Sequence, residues 1–99
     1  MKLFVDDTRE PPKGYDFADC YNDAVFCIKY LDYEHISLDY SLGEYHTGLD
    51  IMKFIHENKR YPKTLNIHSD HVEGVKKMRE YAAENFPPQV VVTVNTLNK

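Results

Sequence analysis

Apolar and polar residues alternate along His35–Leu38 and Thr64–His68, which is the pattern of half-buried strands. Two further short stretches rich in apolar residues, Lys2–Val5 and residues 90–94, are also predicted to be strands. Residues 16–21 predict a further short strand, which would lie at an edge of the sheet. The pattern therefore predicts five strands.

Three other stretches carry apolar residues three and four positions apart, the spacing of amphipathic helices. Asn22 is a good N-cap for the first helix, and Thr47 begins a Thr-x-x-Asp capping box for a second helix over 48–58. Asp70 and Glu73 resemble a cap pair for a third helix, which consecutive prolines end.

Strands that alternate with helices predict an α/β domain with a parallel sheet. Right-handed crossovers place all three helices on one face of that sheet. Alternate strand residues point to opposite faces of the sheet, and those on one face are apolar. Those on the other face are largely polar and comprise His35, Ser37, Thr64, Asn66, His68 and Thr93. We expect this second face to be wet or to meet a polar partner. An ordinary three-layer fold with polar strand ends is the alternative.

Length and charge narrow the classes of protein. The chain has 99 residues, which makes one domain over residues 1–99. Its formal net charge of −4 gives no general attraction to nucleic acid. No apolar run is long enough to span a membrane, and residues 1–5 lead directly into two acids, unlike a signal peptide. We therefore expect a cytoplasmic protein in which Cys20 and Cys27 are free thiols.

Acidic side chains follow two of the predicted strands. Asp6 and Asp7 end the first strand, and Asp39 ends the central one. The carboxyl ends of parallel strands share the edge where α/β proteins bind ligands. Three carboxylates at one edge favour a hard cation, and with water they suit Mg²⁺ or Mn²⁺. Alternatively, Asp7 caps a turn and the acids are solvated.

Three further polar residues are candidates for the same edge. His68 ends the fourth strand and could act as a general acid or base, or could be satisfied by a polar group of a neighbouring strand. Arg9 could bind a phosphate oxygen or cover the first loop. Ser69 could donate to a phosphoryl oxygen, cap the next helix, or do both. A zinc site with His46 and His71 is disfavoured, because the spacing is not that of a closed ligand set.

Over residues 3–94 the chain resembles a response-regulator receiver domain. Asp6 and Asp7 resemble the receiver's acidic pair, Asp39 resembles its phosphoacceptor, and Ser69 resembles the residue that contacts the phosphoryl group. The resemblance implies a flavodoxin-like five-stranded sheet of order 2-1-3-4-5. The chain departs from the pattern in three places: a loop replaces the first helix, no fifth helix follows, and no lysine ends the fifth strand. The two missing helices would leave one sheet face uncovered.

A narrower receiver-like family is more similar. Asp6-Asp7-Thr8-Arg9 followed by prolines, the segment from Ser37 to Gly43, and Ile67-His68-Ser69 resemble a compact family that is predicted to process cyclic phosphates and is often associated with RNA repair or phage systems. That family favours a Leu-Asp-His-Asp-Leu-Gly centre, in which Tyr40 and Ser41 stand here for the His and the second Asp.

The resemblance implies processing of cyclic phosphates of nucleotides or RNA ends, and the acidic cluster with His68 and Arg9 adds the expectation of a metal-dependent phosphodiesterase, a hydrolase. We expect His68, Asp39, Ser69 and Arg9 to be catalytic, with Asp6, Asp7 and Asp39 as metal ligands. The alternative is a non-catalytic pseudo-receiver that serves signalling or protein interaction. A homodimer or a partner protein on the uncovered sheet face is compatible with either.

Overall fold

The fold is seen in a computed structural model that describes residues 1–95. Each strand and helix begins close to the position predicted from the spacing of its apolar residues. In chain order the elements are β1 (Lys2–Val5), β2 (Asp16–Ala18), α1 (Tyr21–Tyr30), β3 (His35–Leu38), α2 (Gly48–Asn58), β4 (Thr64–His68), α3 (Val72–Asn85) and β5 (Val91–Asn95).

The five strands form one parallel sheet of order β2-β1-β3-β4-β5. The register aligns Val5 with Leu38, Leu38 with Ile67, and Ile67 with Val94. Because all strands run the same way, their carboxyl ends meet at one edge. The predicted α/β fold and strand order are therefore confirmed.

The hydrophobic core lies between the helices and one face of the sheet. Alternate strand residues supply one side of it, and each helix supplies residues to the other side. The fully buried members include Leu3, Val5, Ile36, Leu38, Leu65 and Ile67 from the strands, and Ile28, Met52, Ile55 and Met78 from the helices. Burial of a side chain of this size contributes about 1.5–3 kcal/mol, so this layer is the main source of stability.

The opposite face carries the polar parity, as expected, and no helix within residues 1–95 covers it. Phe4, Ser37, Asn66 and Thr93 lie side by side across it in register. Ser37 is 3% exposed and Asn66 is 7% exposed, so the centre of this face is not wet. These side chains satisfy one another: Asn66 donates to Ser37 at 3.2 Å, and Thr93 donates to Asn66 at 2.7 Å.

Several element ends differ from the sequence prediction. The edge strand β2 stops at Ala18, and Cys20 is the N-cap of α1 in place of Asn22. His71 caps α3 in place of Asp70, since its ring nitrogen accepts the Gly74 N–H at 2.8 Å. Propensity rules name the side chains that can cap a helix, but the backbone geometry selects one of them.

Two other predictions hold within the described part of the chain. The capping box of α2 is present, and the Thr47 N–H donates to the Asp50 carboxylate at 2.9 Å. Cys20 and Cys27 are free thiols. None of the helices in residues 1–95 has the length and apolar character that a bilayer crossing requires.

Two glycines allow close approaches beside the carboxyl edge. A Cβ on Gly48 would overlap the backbone carbonyl of Asp39, and a Cβ on Gly74 would overlap the Tyr40 ring. Glycine at the start of α2 therefore lets that helix begin directly against Asp39. Glycine in α3 makes room for Tyr40, whose ring also lies 4.7 Å from that of His71.

We predict that Gly74→Ala destabilises the fold by about 1–3 kcal/mol, because the added methyl group overpacks against Tyr40. In a Tyr40→Ala background the same substitution is expected to be neutral or to stabilise by up to about 1 kcal/mol, since alanine favours a helix over glycine. Urea denaturation of the four proteins in this double-mutant cycle measures the coupling. Equal costs of Gly74→Ala in both backgrounds would contradict the predicted contact.

Candidate functional site

The candidate site lies at the carboxyl edge of β1, β3 and β4. The Asp39 N–H donates to the Val5 carbonyl at 3.0 Å, which continues the pairing of β1 and β3 past their last residues. Asp6 is fully buried, Asp39 is 5% exposed, and His68 is 1% exposed. Three ionisable side chains are thus held together in a place where charge needs specific partners.

Asp6 is the most heavily hydrogen-bonded of these groups. Its Oδ1 accepts the Thr8 N–H at 2.9 Å and the Arg9 N–H at 3.0 Å, so the carboxylate closes the turn that follows β1. Its Oδ2 lies 3.0 Å from His68 Nε2. Burial raises the pKa of this carboxyl, but the two backbone N–H groups and His68 together lower it by more. The pKa of Asp6 therefore lies below its usual value. Asp6 is therefore ionised at neutral pH.

His68 has both ring nitrogens bonded. Nδ1 lies 2.6 Å from the Ser37 hydroxyl, and Nε2 faces Asp6. Its ring also stacks on Phe4, with centroids 4.3 Å apart and planes 1° from parallel. A carboxylate only accepts hydrogen bonds, so the proton of the neutral ring lies on Nε2 and Ser37 donates to Nδ1.

The partners of His68 extend into a hydrogen-bonded series across the polar face. Thr93 donates to Asn66, Asn66 donates to Ser37, Ser37 donates to His68, and His68 donates to Asp6. Every hydroxyl, amide and imidazole in this series can take the role required of it at once. The series therefore fixes the orientation of the imidazole ring without any residue of the helix layer.

Arg9 brings a positive charge to the acidic edge. Its Nη1 lies 3.4 Å from Asp6 and 3.6 Å from Asp39, and its Nη2 lies 2.9 Å from Asp70. The Arg9 side chain remains about one-third exposed. It therefore partly neutralises the acids and still presents a surface to solvent.

Asp39 differs from Asp6 in its electrostatic environment. Burial raises its pKa, and hydrogen bonding from Ser69 opposes that rise only in part, so the pKa lies above its usual value. The nearby Asp6 charge acts in the same direction as burial. Because burial and Asp6 both disfavour its ionised form, Asp39 is the carboxylate that an added cation would stabilise most.

The structure brings only part of the predicted acidic trio together. Asp6, Asp39 and His68 offer ligand atoms that all lie within 4.8 Å of one another. Asp7 is exposed and does not belong to this group. Its Oδ2 lies 2.7 Å from where a Cβ on Gly43 would stand, so the Asp7 carboxylate lies against the loop after β3.

Two residues of the site, Ser37 and Asp70, have roles that the sequence did not indicate. Ser37 was placed on the polar face, but nothing in the sequence marked it as the partner of His68. Asp70 was assigned to a helix cap, yet it pairs with Arg9 across 61 positions of chain. One sequence feature pointed to the hydrogen-bonded series. Ser37 is aligned with Asn66 on the neighbouring strand, and His68 follows Asn66 by two residues on the same face.

The histidines of the disfavoured zinc site lie elsewhere. The His46 ring stacks on Tyr21 with centroids 4.0 Å apart, and His71 caps α3. Within residues 1–95, neither joins a group of potential metal ligands.

We predict that the burial of neutral His68 makes the fold less stable in mild acid. Burial lowers the His68 pKa more than Asp6 raises it, so the unfolded chain, with an ordinary value of 6.5, binds more protons below that pH. The free energy of unfolding should fall as pH drops below 6.5, by at most about 1.4 kcal/mol per pH unit for this group.

Urea denaturation between pH 5 and 8 in a chelating buffer measures this slope. His35 has a pKa lowered by burial and by Lys2, and it contributes in the same direction. The contribution of His68 is therefore the difference between the wild type and His68→Gln, with His35→Gln as the matched control. An unchanged slope in His68→Gln would refute the assignment.

One family of receiver domains matches the chain. The matching family is described as the cyclic-phosphate processing receiver domain, and the match covers residues 1–84, from before β1 almost to the end of α3. No curated protein and no solved structure matches the chain. The family match includes Asp6, Arg9, Asp39, His68 and Ser69, and it agrees with the observed strand order. The chain therefore belongs to the family of cyclic-phosphate processing receiver domains.

Proposed function

We propose that the protein hydrolyses cyclic phosphates of nucleotides or RNA ends, with a divalent cation held at the carboxyl edge of the sheet. The observation that carries the proposal is the convergence of two buried carboxylates, a buried histidine and a partly exposed arginine at one edge of the sheet. If the two acids had only a structural role, the arginine that pairs with them would not need to expose a third of its side chain to solvent. The family to which the chain belongs supports a phosphate-containing substrate.

The donor set suits a small, hard cation. Asp6 and Asp39 supply carboxylate oxygens, and His68 already directs its N–H at Asp6, which leaves the carboxylates as the cation ligands. Mg²⁺ binds to proteins through one or two carboxylates and keeps several waters, and Mn²⁺ accepts the same oxygens. Asp7, which the sequence also suggested as a ligand, is exposed and lies outside this group of ligand atoms. When bound, the cation would offset the negative charge of the phosphate and the acids.

Arg9 and Ser69 are the groups we assign to the phosphate. The guanidinium has planar N–H donors that match two phosphate oxygens, and a third of its side chain is exposed. The Ser69 hydroxyl lies beside Asp39 at the end of β4 and can turn to donate to the same group. Both residues would favour a pentacoordinate transition state, in which the oxygens carry more charge.

Hydrolysis forms a bond from water oxygen to phosphorus and breaks the bond from phosphorus to one ribose oxygen. The water gives up a proton, and the departing ribose oxygen gains one. We assign the first transfer to Asp39, because burial raises its pKa and a carboxylate has a second oxygen free when the other holds a cation. Solvent supplies the second proton at this open edge.

We assign a positioning role to His68. Its two nitrogens are committed to Ser37 and Asp6, and the ring is buried against Phe4, so it does not face a substrate. The N–H from His68 fixes one oxygen of Asp6 and supports the charge of that carboxylate. Partners of this kind commonly change metal affinity by about 10–100-fold when they are removed.

A second function is favoured by one contact. The Arg9 guanidinium lies near both Asp6 and Asp39, so a side chain of the protein itself can balance their charge. The site would then be a stable, non-catalytic feature of a pseudo-receiver that serves interaction. This function predicts no turnover and unchanged stability when divalent cations are added.

We predict Mg²⁺- or Mn²⁺-dependent hydrolysis of 2′,3′-cyclic nucleotides that Asp39→Asn lowers at least about 100-fold, because the variant lacks a carboxylate that binds the cation and accepts a proton. Phosphate-ester products resolved by chromatography give the rate. Asp32→Asn is the matched control, since Asp32 is exposed and pairs with Arg60 elsewhere on the protein. Equal rates for the two variants would disprove the proposed site.

We further predict that His68→Ala raises the cation concentration needed for half-maximal rate by about 10–100-fold. His68→Gln should lose much less, because its amide can still donate to Asp6, and should approach the wild-type kcat at saturating cation. Titration of the rate with Mn²⁺ separates the two effects. If His68 instead transferred the proton, both variants would lose kcat equally.

A further inference from the structure

A groove of about 730 Å³ opens directly beside the candidate site. It lies between α3 and β5, and Ser69 belongs both to the groove and to the site. A volume of this size is in the range of small-molecule pockets. Its lining comprises the three valines Val72, Val75 and Val94, the bases Lys76 and Arg79, the acids Asp70 and Glu80, and Ser69.

Apolar surface is exposed at the end of the groove near the site. Val72 is 80% exposed and Val94 is 38% exposed, and neither belongs to the buried core. Val75 lines the same wall one helical turn after Val72. An exposed apolar patch of this kind, next to a polar site, is typical of a ligand surface.

Positive charge follows the apolar patch along the helix. Val72, Val75, Lys76 and Arg79 are spaced by three, four and seven positions, so they lie on one face of α3. Within residues 1–95, neither Lys76 nor Arg79 has a carboxylate within ion-pair distance. Asp70, which also lines the groove, is already paired with Arg9.

The groove thus begins at the phosphate site, continues along the apolar wall, and ends where Lys76 and Arg79 outnumber Glu80 and leave a net positive charge. From Val72 to Arg79 the helix rises about 10 Å, at about 1.5 Å per residue. A nucleoside with phosphate on both its ribose ends has the same order of groups. Two other concave regions, around Tyr33 and His35, lie where the strands begin, at the opposite edge from the site.

We propose that the α3–β5 groove is a nucleoside subsite. The base and ribose would lie on Val72, Val75 and Val94, and Lys76 and Arg79 would bind a phosphate on the 5′ side of that nucleoside. This inference rests on the proposed function, because it places the cyclic phosphate beside Ser69 and Arg9. It adds that the substrate is a 5′-phosphorylated nucleoside cyclic phosphate, and that cyclic phosphates without a nucleoside are poor ligands.

Three probes test the subsite by binding, measured without added cation so that no turnover occurs. They are ethylene phosphate, which is a five-membered cyclic phosphate without a nucleoside, adenosine 2′,3′-cyclic phosphate, and the 5′-phosphorylated form of the latter. Amide shifts in ¹⁵N-resolved NMR spectra report the affinity and the location of each probe. We expect ethylene phosphate to move amides around Ser69 only, and both nucleotides to move those of Val72, Val75 and Val94 as well.

Two substitutions separate the apolar wall from the charge. Val72→Ser should weaken both nucleotides about threefold and leave ethylene phosphate unchanged, because it removes exposed apolar contact alone. Lys76→Gln with Arg79→Gln should abolish the additional affinity that the 5′-phosphate confers. The matched controls are Val91→Ser, at the other end of β5, and Lys53→Gln, on the exposed side of α2; neither should change any affinity.

Equal affinity for the three probes, unmoved groove amides, or wild-type nucleotide binding by Val72→Ser would overturn the subsite. Hydrolysis of ethylene phosphate as fast as that of the nucleotides would do the same and leave the proposed hydrolysis intact. Nucleotide binding in the groove without turnover in the cation-dependent assay would support the subsite and reject hydrolysis. The two proposals therefore fail separately.

Discussion

The burial of the Asp6 carboxylate is the constraint on which the site depends. An ionised carboxylate without partners costs several kcal/mol in a protein interior, so the fold must supply donors from every direction. The loop after β1 supplies the N–H groups of Thr8 and Arg9, and β4 supplies His68. The hydrogen bonds that satisfy the Asp6 charge bring Arg9 back over the carboxyl edge of the sheet. They also connect β1 with β4, which are not adjacent in the sheet.

The polar face of the sheet supports the same carboxylate from behind. Ser37, Asn66 and Thr93 direct their hydrogen bonds in sequence toward His68. A buried polar network is stable only when each member is satisfied, and a satisfied one specifies a single arrangement. This explains how the buried centre of a sheet face over which no helix of residues 1–95 lies can be polar in composition.

The site combines a fixed side and an open side. Asp6 and His68 are buried and hydrogen-bonded in the interior, whereas Arg9 and the groove along α3 face solvent. Membership of a cyclic-phosphate processing family accords with such a division, because one side orders the charges and the other can accept a ligand. The close approach of α2 at Gly48 completes the arrangement by setting a helix start against Asp39.

The sequence by itself determined the strands, the helices and their order, because alternation and helical spacing are local properties that burial enforces along each element. It also placed Asp6, Asp39 and His68 at one edge, since parallel strands end together. The tertiary structure alone decided that His68 faces Asp6 while Asp7 is exposed outside the group, that Ser37 orients the ring, and that Asp70 pairs with Arg9. These choices depend on side-chain directions and on contacts between distant segments, which no local pattern encodes.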